Sequence, residues 1–282
     1  MSGATLAILL IVGSAVLHAV VNAMHKRAAD KLVFRGMIGG TATLLLWPLL
    51  FAVPVPDAIT AQWLLLSVLI HLIYQALLAS SYRLADLSAA HPLARGVGSL
   101  LTGAGAVILL SEPLSGLQWL GLVIATAGML AFALEGRAGL TNPKGVAYAI
   151  ATGLCIAGYT LVDATGVRAP ENPLSFIVWF LVLDGIAVTL VFGSWRRGRY
   201  LTAIRTEWRW GLVAGVLSII TYAVVLYAFT LGPTAPLAAL RELGIVFTAL
   251  LGVLFLGERF GIRRIAAAIV LSSGLMLLQL MG

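Results

Sequence analysis

The sequence has a single cysteine and very little charge. Cys155 alone cannot form an internal disulfide or a thiolate metal cluster, and inside an apolar run it reads as a small packing residue. Asp, Glu, Lys and Arg make up only 10% of the 282 residues, whereas a water-soluble domain carries about 25%. No stretch is polar enough to be a separate soluble domain. There is also no low-complexity segment, no nucleotide-binding glycine loop and no His-x-x-x-His metal pair. ATP is therefore not expected as the direct driver of any activity, and neither a metal nor an organic cofactor is expected. The net charge of +7 lacks the basic reading face and stacking aromatics that nucleic-acid binding requires.

What is present is apolar. Hydrophobic residues make up 61% of the chain and the mean hydropathy is +1.03. A membrane-crossing helix needs roughly 20 such residues in a row. Ten runs qualify: Thr5–Met24, Gly36–Val53, Ala61–Tyr82, Ser88–Leu110, Leu117–Leu134, Lys144–Asp163, Leu174–Phe192, Trp210–Leu231, Thr234–Leu256 and Arg263–Met281. The first run has no Lys/Arg-rich segment before it and reads as a span, not as a cleavable signal.

Charge supports the count. Fifteen of the 18 Lys and Arg residues fall in the odd-numbered connections and only Arg168 in an even one. The positive-inside bias then puts the odd loops in the cytoplasm and both termini outside an inner membrane. The remaining two, Arg95 and Arg241, lie inside spans.

Those two arginines belong to a repeat. An offset of 146 residues aligns Arg95 with Arg241, Gly98 with Gly244, Thr102 with Thr248, Glu112 with Glu258 and Gly128 with Gly274. An offset of 141 aligns Ser14, His18 and Asn22 on the first span with Cys155, Tyr159 and Asp163 on the sixth. Each repeat, 1–137 and 143–282, holds five spans, and an odd number inserts the second copy upside down. Inverted repeats are a common basis for alternating access in secondary transporters. The expected fold is thus all-α, one membrane domain of ten helices in two inverted five-helix repeats.

Several motifs carry a family resemblance. Glu112-Pro113-Leu114-Ser115 precedes Gly121 and Gly128, and Gly257-Glu258-Arg259 precedes Gly274. Ala89-Ala90-His91-Pro92-Leu93 and Ala235-Pro236-Leu237 open the spans before each Glu. In these features the chain resembles the duplicated EamA domain of the drug/metabolite transporter superfamily. The resemblance implies a central cavity lined by the first, third, fourth, sixth, eighth and ninth spans. It also implies export of amino acids, other metabolites or toxic compounds. Many relatives carry a Trp near the middle of the first span, where this chain has His18.

The candidate functional residues are the polar and aromatic ones inside spans, because charges there are costly and usually face a cavity or a partner. Arg95 and Arg241 are expected to hold an anion, or else to form ion pairs, Arg241 with Glu242 or Asp184. Asp184, near the middle of the seventh span, is the expected proton-coupling carboxylate. His18 and Asn22 share one face of the first span, His71 and Tyr74 cluster on the third, and Tyr159 lies on the sixth. Tyr222 and Trp179 could stack on a substrate. Glu112 and Glu258 end their spans and read as loop anchors bonded to a neighbouring helix start, with gating as the alternative.

The expected function is alternating-access export of a small polar or anionic metabolite, such as an amino acid or organic acid, with protons as a possible coupling ion. The expected partners are that substrate and membrane lipid, and the protein is expected to be a monomer or homodimer. A lipophilic-cation exporter is the alternative within transport. An integral-membrane enzyme acting on a lipid-linked substrate is the alternative outside it.

Overall fold

The computed structural model describes residues 2–84, 87–135, 141–195, 197–256 and 261–280. These form eleven α-helices: α1 (Gly3–Arg27), α2 (Lys31–Leu46), α3 (Ala58–Leu84), α4 (Leu87–Leu109), α5 (Gly116–Glu135), α6 (Pro143–Arg168), α7 (Pro173–Trp195), α8 (Arg197–Phe229), α9 (Thr234–Leu240), α10 (Leu243–Leu256) and α11 (Ile262–Leu280). A short 3-10 helix, Trp47–Phe51, prolongs α2. There is no strand among the described residues. Ten candidate spans are long and apolar enough to cross a membrane, in agreement with the ten runs of the sequence.

Local chemistry sets the helix starts. Asp30 caps α2 by accepting from the amides of Leu32 and Val33, and Asn142 caps α6 in the same way through Lys144 and Gly145. Pro143 occupies the first turn of α6, where its missing N–H costs nothing. At the other end of α4, Ser111 adopts a left-handed backbone with φ 55°. That turn lets the Glu112 amide bond to the carbonyl of Ala106 at 3.0 Å, which stops the helix and aims Glu112 sideways.

In lipid there is no hydrophobic force to hold helices together, so close backbone contact matters. α5 and α11 form an extensive contact through glycine: a Cβ on Gly274 would lie 2.3 Å from the Ala125 amide nitrogen, and one on Gly128 2.5 Å from that of Leu271. α2 and α7 approach similarly, with Gly39 and Gly185 each facing the other's carbonyl oxygen. Elsewhere α3 packs on α6, α4 on α5 and α6, and α1 on α8 and α10.

Three expected spans have different limits. The eighth helix begins at Arg197, well before Trp210, so the Arg- and Trp-rich segment is a helical extension, with Trp208 and Trp210 exposed. The sixth continues past Asp163 to Arg168. The ninth is not continuous: it breaks between α9 and α10 at Arg241 and Glu242. The amides of these two residues make only short i−3 bonds, to Ala238 and Ala239.

Candidate substrate cavity

A cavity of about 1690 Å³ runs into the helix bundle. Its mouth lies at the end bearing the first connection, with Lys26, Asp30 and Lys31, and beside Trp195 and Arg264. The opposite end is filled by an apolar plug that includes Ala7, Ile11, Phe176, Phe180, Leu226, Phe229 and Leu237. Beyond the plug, Arg168 ties several segments together. Its guanidinium donates to Glu112 at 2.6 Å, to the carbonyl of Phe229 at 2.8 Å and to that of Gly232 at 2.8 Å. Glu112 in turn accepts from the backbone amide of Thr234 at 2.6 Å and from its hydroxyl at 3.0 Å. Glu112 thus anchors the first turn of α9. Glu258 lies outside the described residues.

The cavity walls gather most of the polar span residues. His18 and Asn22 come from α1, His71 and Tyr74 from α3, Arg95 from α4 and Tyr159 from α6. Tyr222 comes from α8, and Arg241 from the break between α9 and α10. Two further helices also contribute: Arg35 from α2, and Phe180 and Asp184 from α7. Trp179 does not line the cavity; it packs against the plug.

The charges sort into pairs. The Arg95 Nε donates to Glu242 at 2.7 Å, with both side chains buried, and so joins α4 to the broken helix. Asp184 faces Arg35 at 3.8 Å, and the Arg35 Nε donates to Gln75 at 2.8 Å. Arg35 therefore belongs to the cavity wall and not to the first loop, where its sequence neighbours Lys26, Arg27 and Lys31 had placed it. The ion-pair alternatives for Arg241 are not realised, because Glu242 is taken by Arg95 and Asp184 by Arg35. No carboxylate pairs with Arg241 among the described residues. Its guanidinium instead sits 5.6 Å from the centre of the Tyr222 ring, a cation–π contact that leaves its N–H donors for other partners.

A second cluster joins His71 and Tyr222, which the sequence singles out, to Asp163 and Ser67, which it does not. Asp163 is completely buried. Its carboxylate accepts hydrogen bonds from the hydroxyls of Ser67 and Tyr222, and lies 3.2 Å from the His71 Nε2. Tyr222 Oη is also 3.1 Å from that nitrogen. For Asp163 itself the signal in the sequence is the offset that aligns it with Asn22.

Taken together, ten crossing helices around a polar, charge-lined cavity that is open at one end and plugged at the other define a multi-pass integral membrane protein with the build of a transporter. Residues 143–280 match the EamA-like transporter family. The second half of the chain thus carries a match to a transporter-family domain of the drug/metabolite transporter superfamily. A solved crystal structure superposes with a TM-score of 0.76 at 16% identity, covering 98% of this chain and 96% of the other, which establishes a shared fold. No curated protein matches the sequence.

Proposed function

We propose that the protein is a secondary transporter that exports a small anionic or polar metabolite across the inner membrane by alternating access, using two inverted repeats, 1–137 and 143–282. The observation that carries this reading is Arg241. It is a cavity-facing guanidinium with no acidic partner among the described residues, held over Tyr222 at a break in a span. Interrupted spans in transporters place ends of half-helices and flanking side chains against cargo. A guanidinium fork matches a carboxylate or a phosphoryl group. His18, Asn22 and Tyr74 supply polar contacts around it, and Arg95 with Glu242 fixes the helix break. With the basic loops in the cytoplasm, the open mouth faces the cell interior, the side on which an exporter loads.

The test is thermal stability of the purified protein against amino acids, organic acids, phosphonates and lipophilic cations. A ligand at about 100 times its dissociation constant stabilises by about 2.7 kcal/mol. An anion should raise the melting temperature of wild type but not of Arg241→Gln, since a charged hydrogen bond contributes about 1.5–3 kcal/mol. Stabilisation by cations alone, unchanged in Arg241→Gln, would replace this reading with that of a lipophilic-cation exporter. Confirmed hits go to proteoliposome efflux.

A further inference from the structure

Asp163 differs from every other carboxylate described inside the spans. Glu242 has Arg95 beside it and Asp184 has Arg35. Asp163 has neither Lys nor Arg as an ion-pair partner among the described residues; its only ionisable base is His71. A lone charge at that depth is costly in a membrane protein, and the neutral donors Ser67 and Tyr222 cannot cancel it. Only a proton can, either on the carboxyl or on the imidazole.

The surroundings are built for that proton. Two oxygen acceptors, Asp163 Oδ2 and Tyr222 Oη, face His71 Nε2, so this nitrogen carries a hydrogen. The imidazole is walled by rings: Tyr159 at 4.1 Å, Phe180 at 5.0 Å, Tyr222 at 5.5 Å and Tyr74 at 6.4 Å between centroids. Such a box suits an imidazolium. His71 lines the cavity and Asp163 does not, so water in the cavity reaches the histidine first. Behind Asp163, its helix neighbours Ala164 and Val167 already belong to the apolar plug.

We propose that Asp163 and His71 form a proton-binding site at the boundary between cavity and plug, and that this site loads and releases the coupling proton. The proposal rests on the transport reading above. One proton passes from water in the open cavity to the imidazole, leaving an imidazolium–carboxylate pair, and returns to water on the other face after the protein switches. No other bond is made or broken. Facing groups are Ser67 and Tyr74 on α3, Tyr159 on α6 and Tyr222 on α8. Asp184 on α7 is paired with Arg35, Arg95 on α4 is paired with Glu242, and Arg241 lies over Tyr222. Tyr222 therefore touches both the proton site and the cargo arginine. A positive charge gained at His71 adds to the attraction of Arg241 for an anion, and the coupling is reciprocal, so proton and anion bind together.

The test needs no cargo. Proteoliposomes adsorbed on a solid-supported membrane receive a sudden drop in external pH, and the transient current from proton binding is recorded. Wild type should give a transient that is lost in Asp163→Asn and kept in Asp184→Asn. If Asp163→Asn does not yield a monodisperse protein, His71→Gln, which retains a donor to Asp163, should lose the transient as well. A transient unchanged in Asp163→Asn or His71→Gln, one lost only in Asp184→Asn, or none in wild type overturns the site. None of these results touches the anion reading, which stands or falls on ligand stabilisation through Arg241.

Discussion

Replacing Arg95 with Met removes one half of a pair whose side chains are only 7% and 5% exposed. Glu242 would be left charged, buried and without its 2.7 Å donor. Removing one partner of a buried pair costs about 3–5 kcal/mol, because the surviving charge keeps its desolvation penalty and loses its compensation. For a chain of this size each kcal/mol moves the melting temperature by about 2–4 °C, so Arg95→Met should lower it by about 10 °C. Replacing both partners with apolar residues of similar volume, Arg95→Met with Glu242→Leu, removes the stranded charge. The double variant should recover most of the loss. The assay is intrinsic-fluorescence melting in detergent at one fixed scan rate, because membrane-protein unfolding is commonly irreversible and scan-dependent. The double-mutant cycle isolates the interaction. A double variant as unstable as the sum of its singles would show that the pair does not couple α4 to the broken helix, and would refute the reasoning.

Two further predictions follow from geometry. Gly274→Val should abolish the α5–α11 contact, since its Cβ would lie 2.3 Å from the backbone nitrogen of Ala125. Overpacking of this kind costs about 1–3 kcal/mol or more, while Gly13→Ala, with nothing within 4 Å of the new carbon, should be neutral in a melting scan. Arg168→Gln removes three bonds that close the plugged end. A cysteine placed at Ala7, buried in the plug, should then react with an impermeant maleimide about ten times faster in a Cys155→Ser background, a shift of about 1.4 kcal/mol. An unchanged rate would mean that Arg168 does not hold that end shut.

The number and approximate placement of the spans are legible because crossing a membrane is a local property: about twenty apolar residues carry the signal by themselves. Glu112 accepts from the amide and hydroxyl of Thr234, as suits a carboxylate that follows a span and has few partners besides a neighbouring helix start. The misreadings share one cause. A charge near a span end reads as a boundary unless its partner is known, and the partners lie on distant helices. The sixth apolar run ends at Asp163, yet Ser67, His71 and Tyr222 allow this residue to sit inside a helix that continues to Arg168. Arg35 looked like one more loop charge because Asp184 is 149 positions away in the chain. The interruption at Arg241 and Glu242 lies between Pro236 and Gly244, in a run whose apolar length alone reads as one span. Trp179, whose aromatic character suggests a stacking surface, packs against the plug.

The interruption between α9 and α10 also has a mechanical meaning. The 14 residues of α10 form a rod about 21 Å long at 1.5 Å per residue, pivoting on the pair of residues that carry Arg241 and Glu242. A tilt of about 10° at that pivot would carry the far tip through about 4 Å, while Arg241 itself hardly moves. A small change of angle at that turn would thus become a displacement the size of a side chain at the far end of the rod. That arrangement is a lever with its fulcrum at the helix break and its load at the tip.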